Sequence, residues 1–473
     1  MNKHYHFIGI GGIGMGALAA LSLDKGCSVS GSDLRSNQVT ERLKERGAVI
    51  YTGHRAENVQ GADCVVFSSA IRSDNPELAE AHQRKIPVMQ RAKLLAELME
   101  GYIGITVAGA HGKTTTTSMI ANLLVRAGLQ PTTAIGGIVT GTQAHAELGT
   151  GKYFVTEVDE SDGSFLYFKP RYSVITNIDF EHVDFYHDWQ TILDTYRRFI
   201  RRTEEDGVIF AYGEDERLMD LLQKSGRPYK TYGFSDQHDV YASNISFDHF
   251  ESQFDVFING ENSGRVILKV PGRHNVANAL ACISVGLELS VDFNVIKESF
   301  KGFWGVQRRF QLKGQANDVW VIDDYAHHPT EIRATLEAAQ SFKRSLEAAN
   351  GKEKARKLIA IFQPHRYSRV QGLLEEFAAS LAGSSDHVII TDIYAASEKP
   401  IEGVTSERIH ERIRLLTDKP SCYLPKDRIV DYVLDIVKPR DIVITLGAGD
   451  ITRISDDLLE ALKSSPAVAD KIL

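Results

Sequence analysis

The segment around residues 104–126 constrains the fold more than any other part of the sequence. An apolar run at 104–108 (GITVA) leads into a glycine loop at 109–114 (GAHGKT), and a helix-like stretch follows up to Arg126. A strand, a glycine loop that ends in Lys-Thr and a helix together form the usual cradle for a polyphosphate. The loop is a short variant of that pattern, because Val107 stands where the first glycine of the longer form would be.

The chemistry of this loop predicts nucleotide binding. Glycines let backbone N–H groups turn toward a polyphosphate, and the start of the following helix adds a partial positive charge. The Lys113 ammonium can reach the β- and γ-phosphates, and the Thr114 hydroxyl can hold Mg²⁺. The predicted ATP contacts in this segment are Gly109, Ala110, His111, Gly112, Lys113, Thr114 and Thr115.

Two polar clusters follow the next predicted strands. One strand at 153–157 delivers Glu157, and a second that starts at 172 is followed by an acidic stretch and His182. Ligands of parallel α/β sheets gather outside the carboxyl ends of the strands. Glu157 and His182 can therefore reach a metal beside the γ-phosphate, which needs hard ligands.

Strand–helix alternation over 473 residues predicts an α/β protein of three domains, at roughly 150 residues each. Residues 1–103 are expected to form a Rossmann-like domain, residues 104–306 a P-loop ATPase-like central domain, and residues 307–473 a second Rossmann-like domain. The stretch 240–270 alternates apolar and polar residues around Asn259-Gly260. It therefore predicts an antiparallel addition to the central domain.

Composition excludes several classes of protein. The net charge of −8 argues against a general nucleic-acid binder, which usually carries a basic face. Four cysteines lie far apart, which indicates neither a zinc site nor a disulfide framework and fits a reducing cytosol. No apolar run approaches the roughly 18 residues of a membrane span. We expect a cytoplasmic protein that binds neither membranes nor nucleic acid.

A second glycine loop at 9–14 (GIGGIG) also follows a strand and precedes a helix, with Asp33 near the end of the next strand. This pattern is typical of dinucleotide binding, and it also suits the diphosphate of another nucleotide such as a UDP-sugar. From the residues alone an NAD-dependent oxidoreductase therefore stays open. A P-loop switch or motor that hydrolyses ATP without joining substrates stays open as well.

Seven segments, spread over essentially the whole chain, resemble the Mur ligase family. They are residues 6–15 (HFIGIGGIGM), 109–117, 157–162 (EVDESD), 272–280 (GRHNVANAL), 323–329 (DDYAHHP), 362–369 (FQPHRYSR) and 447–451 (GAGDI). The resemblance implies a first domain for a UDP-sugar, a second for ATP, and a third that closes over both and brings an amino acid. It also assigns the first glycine loop to a UDP diphosphate.

The implied activity is ATP-dependent addition of L-alanine to UDP-N-acetylmuramate through an acyl phosphate, in peptidoglycan synthesis. A family member that attaches a preformed, recycled peptide to the same sugar is the alternative. Arg366, Arg369 and the double histidine at 327–328 favour the single amino acid. Sister ligases carry a carbamylated lysine near a second metal, whereas this chain has no lysine between Lys169 and Lys224, so we predict none.

The resemblance also implies roles for individual residues. The UDP-sugar contacts are Gly11, Gly12, Ile13, Gly14, Asp33, Ser68 and Ser69. Further ATP contacts are Asn275, Asn278, Arg309, Asp324 and Tyr325. The alanine carboxylate is assigned to His327, Arg366 and Arg369, and Mg²⁺, with Mn²⁺ as a substitute, to Thr114, Glu157 and His182. The catalytic set is Lys113, Glu157, His182, Arg309 and His327.

Two points stay open within the resemblance. The amine proton is expected to go to His327, His328 or His365, since histidine titrates near the working pH. The protein is expected to be a monomer or a homodimer.

Overall fold

The computed structural model of the protein describes residues 3–68, 71–137, 146–181, 185–186, 188–349, 357–396 and 398–464. Within these residues the chain forms three β-sheets flanked by helices, which confirms the predicted α/β class. The chain divides into two compact units. The first comprises Met1–Tyr241, Phe257–Ser263 and Ala277–Phe300, and the second comprises Ala242–Val256, Gly264–Val276 and Lys301–Leu473.

The first sheet is five-stranded and parallel, with the order β3-β2-β1-β4-β5. Its strands are β1 (His4–Ile8), β2 (Ser28–Asp33), β3 (Val49–Thr52), β4 (Cys64–Phe67) and β5 (Val88–Gln90). Its helices are α1 (Ile13–Asp24), α2 (Gln38–Glu45), α3 (Pro76–Gln83) and α4 (Arg91–Met99). Helices α1 and α2 pack closely at Gly16, where an added Cβ would lie 2.2 Å from Val39 Cγ1.

The second sheet has ten strands in the order β15-β14-β13-β12-β11-β10-β6-β9-β7-β8. Its first six strands are β6 (Ile103–Ala108), β7 (Thr132–Ala134), β8 (Ala146–Glu147), β9 (Tyr153–Glu157), β10 (Tyr172–Ile175) and β11 (Val208–Tyr212). The remaining strands are β12 (Tyr229–Gly233), β13 (Val240–Asp248), β14 (Glu251–Ile258) and β15 (Glu261–Leu268). Its helices are α5 (Lys113–Arg126), α6 (Trp189–Arg202), α7 (Glu216–Gln223), α8 (Arg273–Glu288) and α9 (Phe293–Lys301).

The antiparallel addition predicted for 240–270 is confirmed by strands β13 to β15. The connection from β14 to β15 is Asn259-Gly260, and both residues have positive φ, +49° and +84°. A two-residue connection with this backbone suits a tight hairpin, in which the strands run antiparallel.

The third sheet has six strands in the order β16-β17-β21-β18-β19-β20. The strands are β16 (Gln311–Ala316), β17 (Val319–Asp324), β18 (Leu358–Phe362), β19 (His387–Ile390), β20 (Ser421–Tyr423) and β21 (Ile442–Leu446). The helices are α10 (Pro329–Ala349), α11 (Tyr367–Gly372), α12 (Leu374–Ser384), α13 (Ser406–Leu416), α14 (Lys426–Ile436) and α15 (Thr452–Ser464). Strand β16 pairs antiparallel with β17, and the other four pairings of the described strands in this sheet are parallel.

The strands in the middle of the third sheet are apolar throughout because both faces are covered. Residues 358, 360 and 362 of β18 belong to one buried cluster, whereas Ile359 and Ile361 belong to a cluster on the opposite face. All five residues of β21 are buried as well. Continuous apolar runs of this kind are typical of parallel strands between two layers of helices.

Each sheet places its glycine-containing loops where the strand order changes direction. The loop after β1 lies between β2 and β4, the loop after β6 lies between β10 and β9, and the loop after β21 lies between β17 and β18. Crevices for ligands form at such positions, outside the carboxyl ends of the strands. Across the described ranges, none of the helices is both long and apolar enough to span a bilayer.

Candidate functional site

The loop between β6 and α5 has the shape that the sequence predicts. Gly109 and Gly112 have φ of +127° and +84°, and an added Cβ at Gly109 would lie 2.1 Å from Thr176 Oγ1. Asn177, which follows the neighbouring strand β10, holds the loop in place. Its carbonyl accepts from Ala110 N, and its Oδ1 accepts from His111 N. Its Nδ2 donates to His111 O at 3.0 Å. The loop is therefore preorganised by a residue that the sequence analysis missed.

Lys113, the first residue of α5, extends its side chain along the loop. Its Nζ donates to Gly109 O at 2.6 Å and to Ala110 O at 3.2 Å. The same atom lies 2.9 Å from both carboxylate oxygens of Glu160. Burial would lower the pKa of this ammonium, but the nearby carboxylates, led by that of Glu160, raise the pKa above its usual value. Lys113 is thus a charged group at the loop.

Two of the three predicted metal ligands lie side by side. Thr114 Oγ1 donates to Glu157 Oε2 at 2.6 Å, at the carboxyl end of β9. A hydroxyl and a carboxylate are hard oxygen donors of the kind that Mg²⁺ takes, so this pair fits the ion. The third predicted ligand, His182, lies outside the described residues.

The two asparagines predicted to bind adenine are both buried, each with 6% of its surface exposed. Asn278 lies against the phosphate loop, since its Oδ1 accepts from Thr116 Oγ1 at 3.1 Å. An added Cβ at Gly112 would lie 2.5 Å from the same Oδ1. Asn275, in the second unit, donates from Nδ2 to Pro271 O. Their contact with adenine stays a prediction.

The first glycine loop is tied to the end of β2. The backbone N–H groups of Gly9 and Ile10 both donate to Ser32 O, and Gly11 N donates to Asp33 Oδ2 at 2.9 Å. An added Cβ at Gly11 would lie 2.8 Å from that carboxylate oxygen, so a larger residue there would have to displace the Asp33 side chain. The structure thus gives Asp33 a part in shaping the loop, and its predicted contact with the ligand is untested.

Arg91 stands at the start of the helix that faces this loop and was missed by the sequence analysis. Its Nη1 lies 3.0 Å from the position that a Cβ at Gly14 would take. A guanidinium beside a glycine loop suits bidentate binding of phosphate oxygens. Ser68 follows β4 on the same edge of the sheet, and Ser69 lies outside the described residues.

A buried carboxylate supports the first glycine loop through Ser32, the residue whose carbonyl binds that loop. Glu77 is fully buried and accepts from Ser32 Oγ and from Asn58 Nδ2, both at 2.6 Å. His6 Nε2 lies 3.7 Å from Glu77 Oε2. Burial raises the pKa of this carboxyl, but the nearby His6 ring and the hydrogen bonds from Ser32 and Asn58 outweigh burial and lower the pKa to about 2. Glu77 thereby connects β1, β2 and the residues after β3.

We expect Glu77→Gln to lower stability at neutral pH by on the order of 3 kcal/mol, since each pKa unit corresponds to about 1.4 kcal/mol. The pKa is lower in the folded state, so the contribution exists above the usual carboxyl pKa and disappears as pH falls toward 2. Urea unfolding of both proteins from pH 7 to pH 3 should show the difference shrinking in acid. Glu80→Gln, which removes a carboxylate that pairs with Arg84 at the end of the same helix, is the control. A difference that stays constant with pH would contradict this role.

In the second unit, two arginine side chains lie against the ring of Tyr325. The guanidinium carbons of Arg308 and Arg309 lie 4.9 Å and 5.0 Å from the centre of the Tyr325 ring. Arg309 Nη1 also lies 3.6 Å from Glu331 Oε1. Arg308, which the sequence analysis missed, donates to Gly447 O and Gly449 O and so fixes the glycine loop after β21.

Asp324 is buried and mainly serves the backbone in this structure. Its Oδ2 accepts from Phe310 N at 2.6 Å, and its Oδ1 accepts from Ala326 N at 2.7 Å. Burial raises the pKa of this carboxyl to about 6, although Arg309 and the two N–H groups act in the opposite direction. The predicted ribose contact is untested, and it would have to share oxygens that already hold two turns in place.

The residues predicted to bind the amino acid come together beside α11. Arg369 Nη1 donates to His365 Nδ1 at 3.1 Å, and the His365 ring lies 5.5 Å from that of His327. Burial lowers the pKa of His365 to about 3, and the charges of His327, Arg369, Arg366 and Arg308 contribute to this shift. This cationic cluster suits a carboxylate ligand.

Arg366 has a backbone that side chains rarely adopt, with φ of +69°. Its N–H donates to Tyr394 O, and the Tyr394 ring stacks on His365 at 5.6 Å. Strained residues of this kind persist where surrounding contacts hold them, often at binding sites. Tyr394, which forms one wall of the cluster, has no signal in the sequence because it belongs to a loop without a motif.

Comparison with known proteins assigns the chain to a family along nearly its whole length. Residues 4–103 match "Mur ligase family, catalytic domain", residues 107–286 match "Mur ligase middle domain", and residues 308–449 match "Mur ligase, glutamate ligase domain".

Full-length relatives and solved structures point the same way. A UDP-N-acetylmuramate–L-alanine ligase of Geotalea uraniireducens (strain Rf4) is 47% identical over 459 residues, covering 97% of this chain and 98% of the relative. The crystal structure of a UDP-N-acetylmuramate-alanine ligase from Thermotoga maritima has a TM-score of 0.82 at 30% identity, covering 98% of this chain and 100% of that one. A murein peptide ligase from Psychrobacter arcticus 273-4 gives a TM-score of 0.70 at 27% identity, with the same coverage of both chains. The chain belongs to the Mur ligase family.

Proposed function

We propose that this protein joins L-alanine to UDP-N-acetylmuramate at the expense of ATP, in peptidoglycan precursor synthesis. The observation that carries the proposal is the phosphate loop, on which Lys113, Thr114 and Glu157 converge. The similarity to full-length alanine ligases and the cationic cluster at Arg366 and Arg369 support alanine as the amino acid.

The reaction needs an activated carboxyl group, because a carboxylate and an amine do not condense in water. An oxygen of the lactyl carboxylate attacks the γ-phosphorus of ATP, the bond to the β-phosphate oxygen breaks, and ADP leaves. The alanine amine then attacks the acyl carbon, and phosphate leaves as the amide forms. Catalysis of such phosphoryl transfer depends mainly on positioning and charge neutralisation.

Each segment has a part in this scheme. The loop at 9–14, with Arg91 opposite Gly14, takes the UDP diphosphate, so a nicotinamide dinucleotide is not needed to explain it. Lys113 neutralises charge on the β- and γ-phosphates. Bound Mg²⁺, for which Mn²⁺ can substitute, would screen the same phosphates and would be held by Thr114, Glu157 and His182. We therefore assign the UDP-sugar to residues 1–103, ATP to residues 104–306 and the amino acid to residues 307–473.

Hydrogen bonds distinguish two of the candidate acceptors of the amine proton, His327 and His365. His327 Nδ1 lies 3.1 Å from Tyr325 O, and a carbonyl can only accept, so Nδ1 carries the hydrogen and Nε2 can take a proton. His365 has the opposite arrangement, because a guanidinium only donates and Nδ1 is therefore the acceptor. We assign the proton to His327.

The proposal is tested by release of phosphate from ATP. We expect release only when L-alanine and UDP-N-acetylmuramate are both present, with glycine and L-serine slower. Release from ATP alone would point to a hydrolytic switch instead. Faster turnover with a preformed peptide than with alanine would point to a recycling ligase, the function named for the Psychrobacter arcticus structure. A cytoplasmic location and a monomeric or homodimeric state are further parts of the proposal.

A further inference from the structure

The Lys113 ammonium has no donor to spare in this structure. An ammonium has three N–H groups. Four oxygens lie within hydrogen-bond distance of Nζ, namely Gly109 O, Ala110 O and the two carboxylate oxygens of Glu160. A phosphate oxygen can therefore bind this nitrogen only if at least one of the present contacts is released or shared.

Hydrogen bonds from neighbouring segments hold the backbone of Glu160 in place beside Lys113. Its residue has 4% of its surface exposed. Its backbone carbonyl accepts from the Tyr186 hydroxyl and from Gly163 N. The preceding residue is fixed as well, since Asp159 O accepts from Phe165 N. Lys113, by contrast, has a flexible four-carbon stem that rises from the first turn of α5.

The pair also has an electrostatic role at the loop. The side chains of Lys113 and Glu160 are only 18% and 5% exposed, so either charge alone would be costly. Side by side, the positive charge of Lys113 and the negative charge of Glu160 neutralise each other. When a polyphosphate arrives, it brings its own negative charge, and the lysine then has two anionic partners that compete for the same donors.

We propose that Glu160 holds Lys113 in the nucleotide-free protein and competes with the β- and γ-phosphates for it, so that Glu160 sets the affinity of the loop for nucleotide. Glu160 is in this sense a positioning residue. The inference rests on the proposed function, because it takes the loop at 109–114 as the ATP site.

The test compares wild type with Glu160→Gln, which has nearly the same shape without the charge. Calorimetric titration with a non-hydrolysable ATP analogue and Mg²⁺ should show about tenfold tighter binding to Glu160→Gln. AMP lacks the phosphates that Lys113 reaches, so its affinity should change less than about twofold. Glu160→Asp keeps the charge and should stay near wild type. Asp162→Asn, in the same turn, removes a charge that does not contact Lys113 and serves as the matched control.

Thermal unfolding supplies a second readout. Glu160→Gln leaves a buried cation without its partner, so the free protein should melt at a lower temperature than wild type. Saturation with the analogue should close most of that gap, because phosphate replaces the missing carboxylate.

Four outcomes would overturn the inference. They are weaker binding of the analogue to Glu160→Gln, unaltered binding to that variant, an equal gain for Asp162→Asn, and a loss of melting temperature that the analogue leaves unchanged. Absence of nucleotide binding by the wild type would instead refute the proposed function. Binding by the wild type with an unaltered affinity in Glu160→Gln would refute only this inference.

Discussion

Replacing Lys113 with alanine is expected to abolish ligation, with kcat lower by about 10³-fold or more. The loss follows from the reaction, in which negative charge on the transferred phosphoryl group must be neutralised at a fixed position. Lys113 is the ammonium that the structure places on the loop, and its pKa is raised by carboxylates, so it stays charged at working pH. Phosphate release in the presence of alanine and UDP-N-acetylmuramate measures the effect.

A control must separate lost chemistry from lost folding, because Lys113→Ala strands the buried carboxylate of Glu160. The double variant Lys113→Ala with Glu160→Gln removes that unpaired charge. We expect it to recover melting temperature while ligation stays absent. Lys224→Ala, which disrupts an exposed pair with Asp220, should behave as wild type. Near-normal turnover by Lys113→Ala would refute the assignment of the ATP site.

The second large effect is expected from Arg366→Ala, which should raise the KM for alanine by about 10- to 100-fold. A charge-assisted hydrogen bond contributes about 1.5–3 kcal/mol, and a carboxylate bound in a cationic cluster loses it with the guanidinium. The KM for ATP should change less than about twofold. Alanine retains a Cβ, so the positive φ at this position is no easier to adopt and the backbone is not relieved of strain.

Initial rates at varied alanine and varied ATP distinguish this role from a general one. Arg412→Ala is the matched control, since that arginine pairs with Glu375 on the exposed surface of the same unit. Equal increases in both KM values for Arg366→Ala would place the amino-acid site elsewhere. A loss confined to kcat would instead give Arg366 a part in the transition state and not in alanine binding.

Predictions from sequence succeeded where the interaction partners are close together in the chain. The strand at 103–108, the glycine loop and α5 are contiguous, so residue type and spacing are sufficient to predict their order. The hairpin at Asn259-Gly260 is equally local, because the turn chemistry lies in two residues. Strand–helix alternation predicted the α/β class for the same reason.

Predictions of individual partners were less informative. The sequence suggests Asp33 as a ligand contact, and in the structure its carboxylate accepts from Gly11 N. Asp324 likewise binds two backbone N–H groups. A motif identifies a position that requires a carboxylate, but it does not say whether the partner is a ligand or the chain itself, because both supply N–H donors.

From the sequence alone came the α/β class with its antiparallel addition, the two glycine loops that follow strands, and the candidate site residues, whose roles stay predictions. Only the tertiary structure decided that Asn177 holds the phosphate loop, that Glu160 binds Lys113, and that Arg308 fixes the loop after β21. The physical reason is distance along the chain. Hydrogen bonds and ion pairs act over about 3 Å, and the residues that make them are separated by tens of positions in sequence, so no local pattern records which of them will meet.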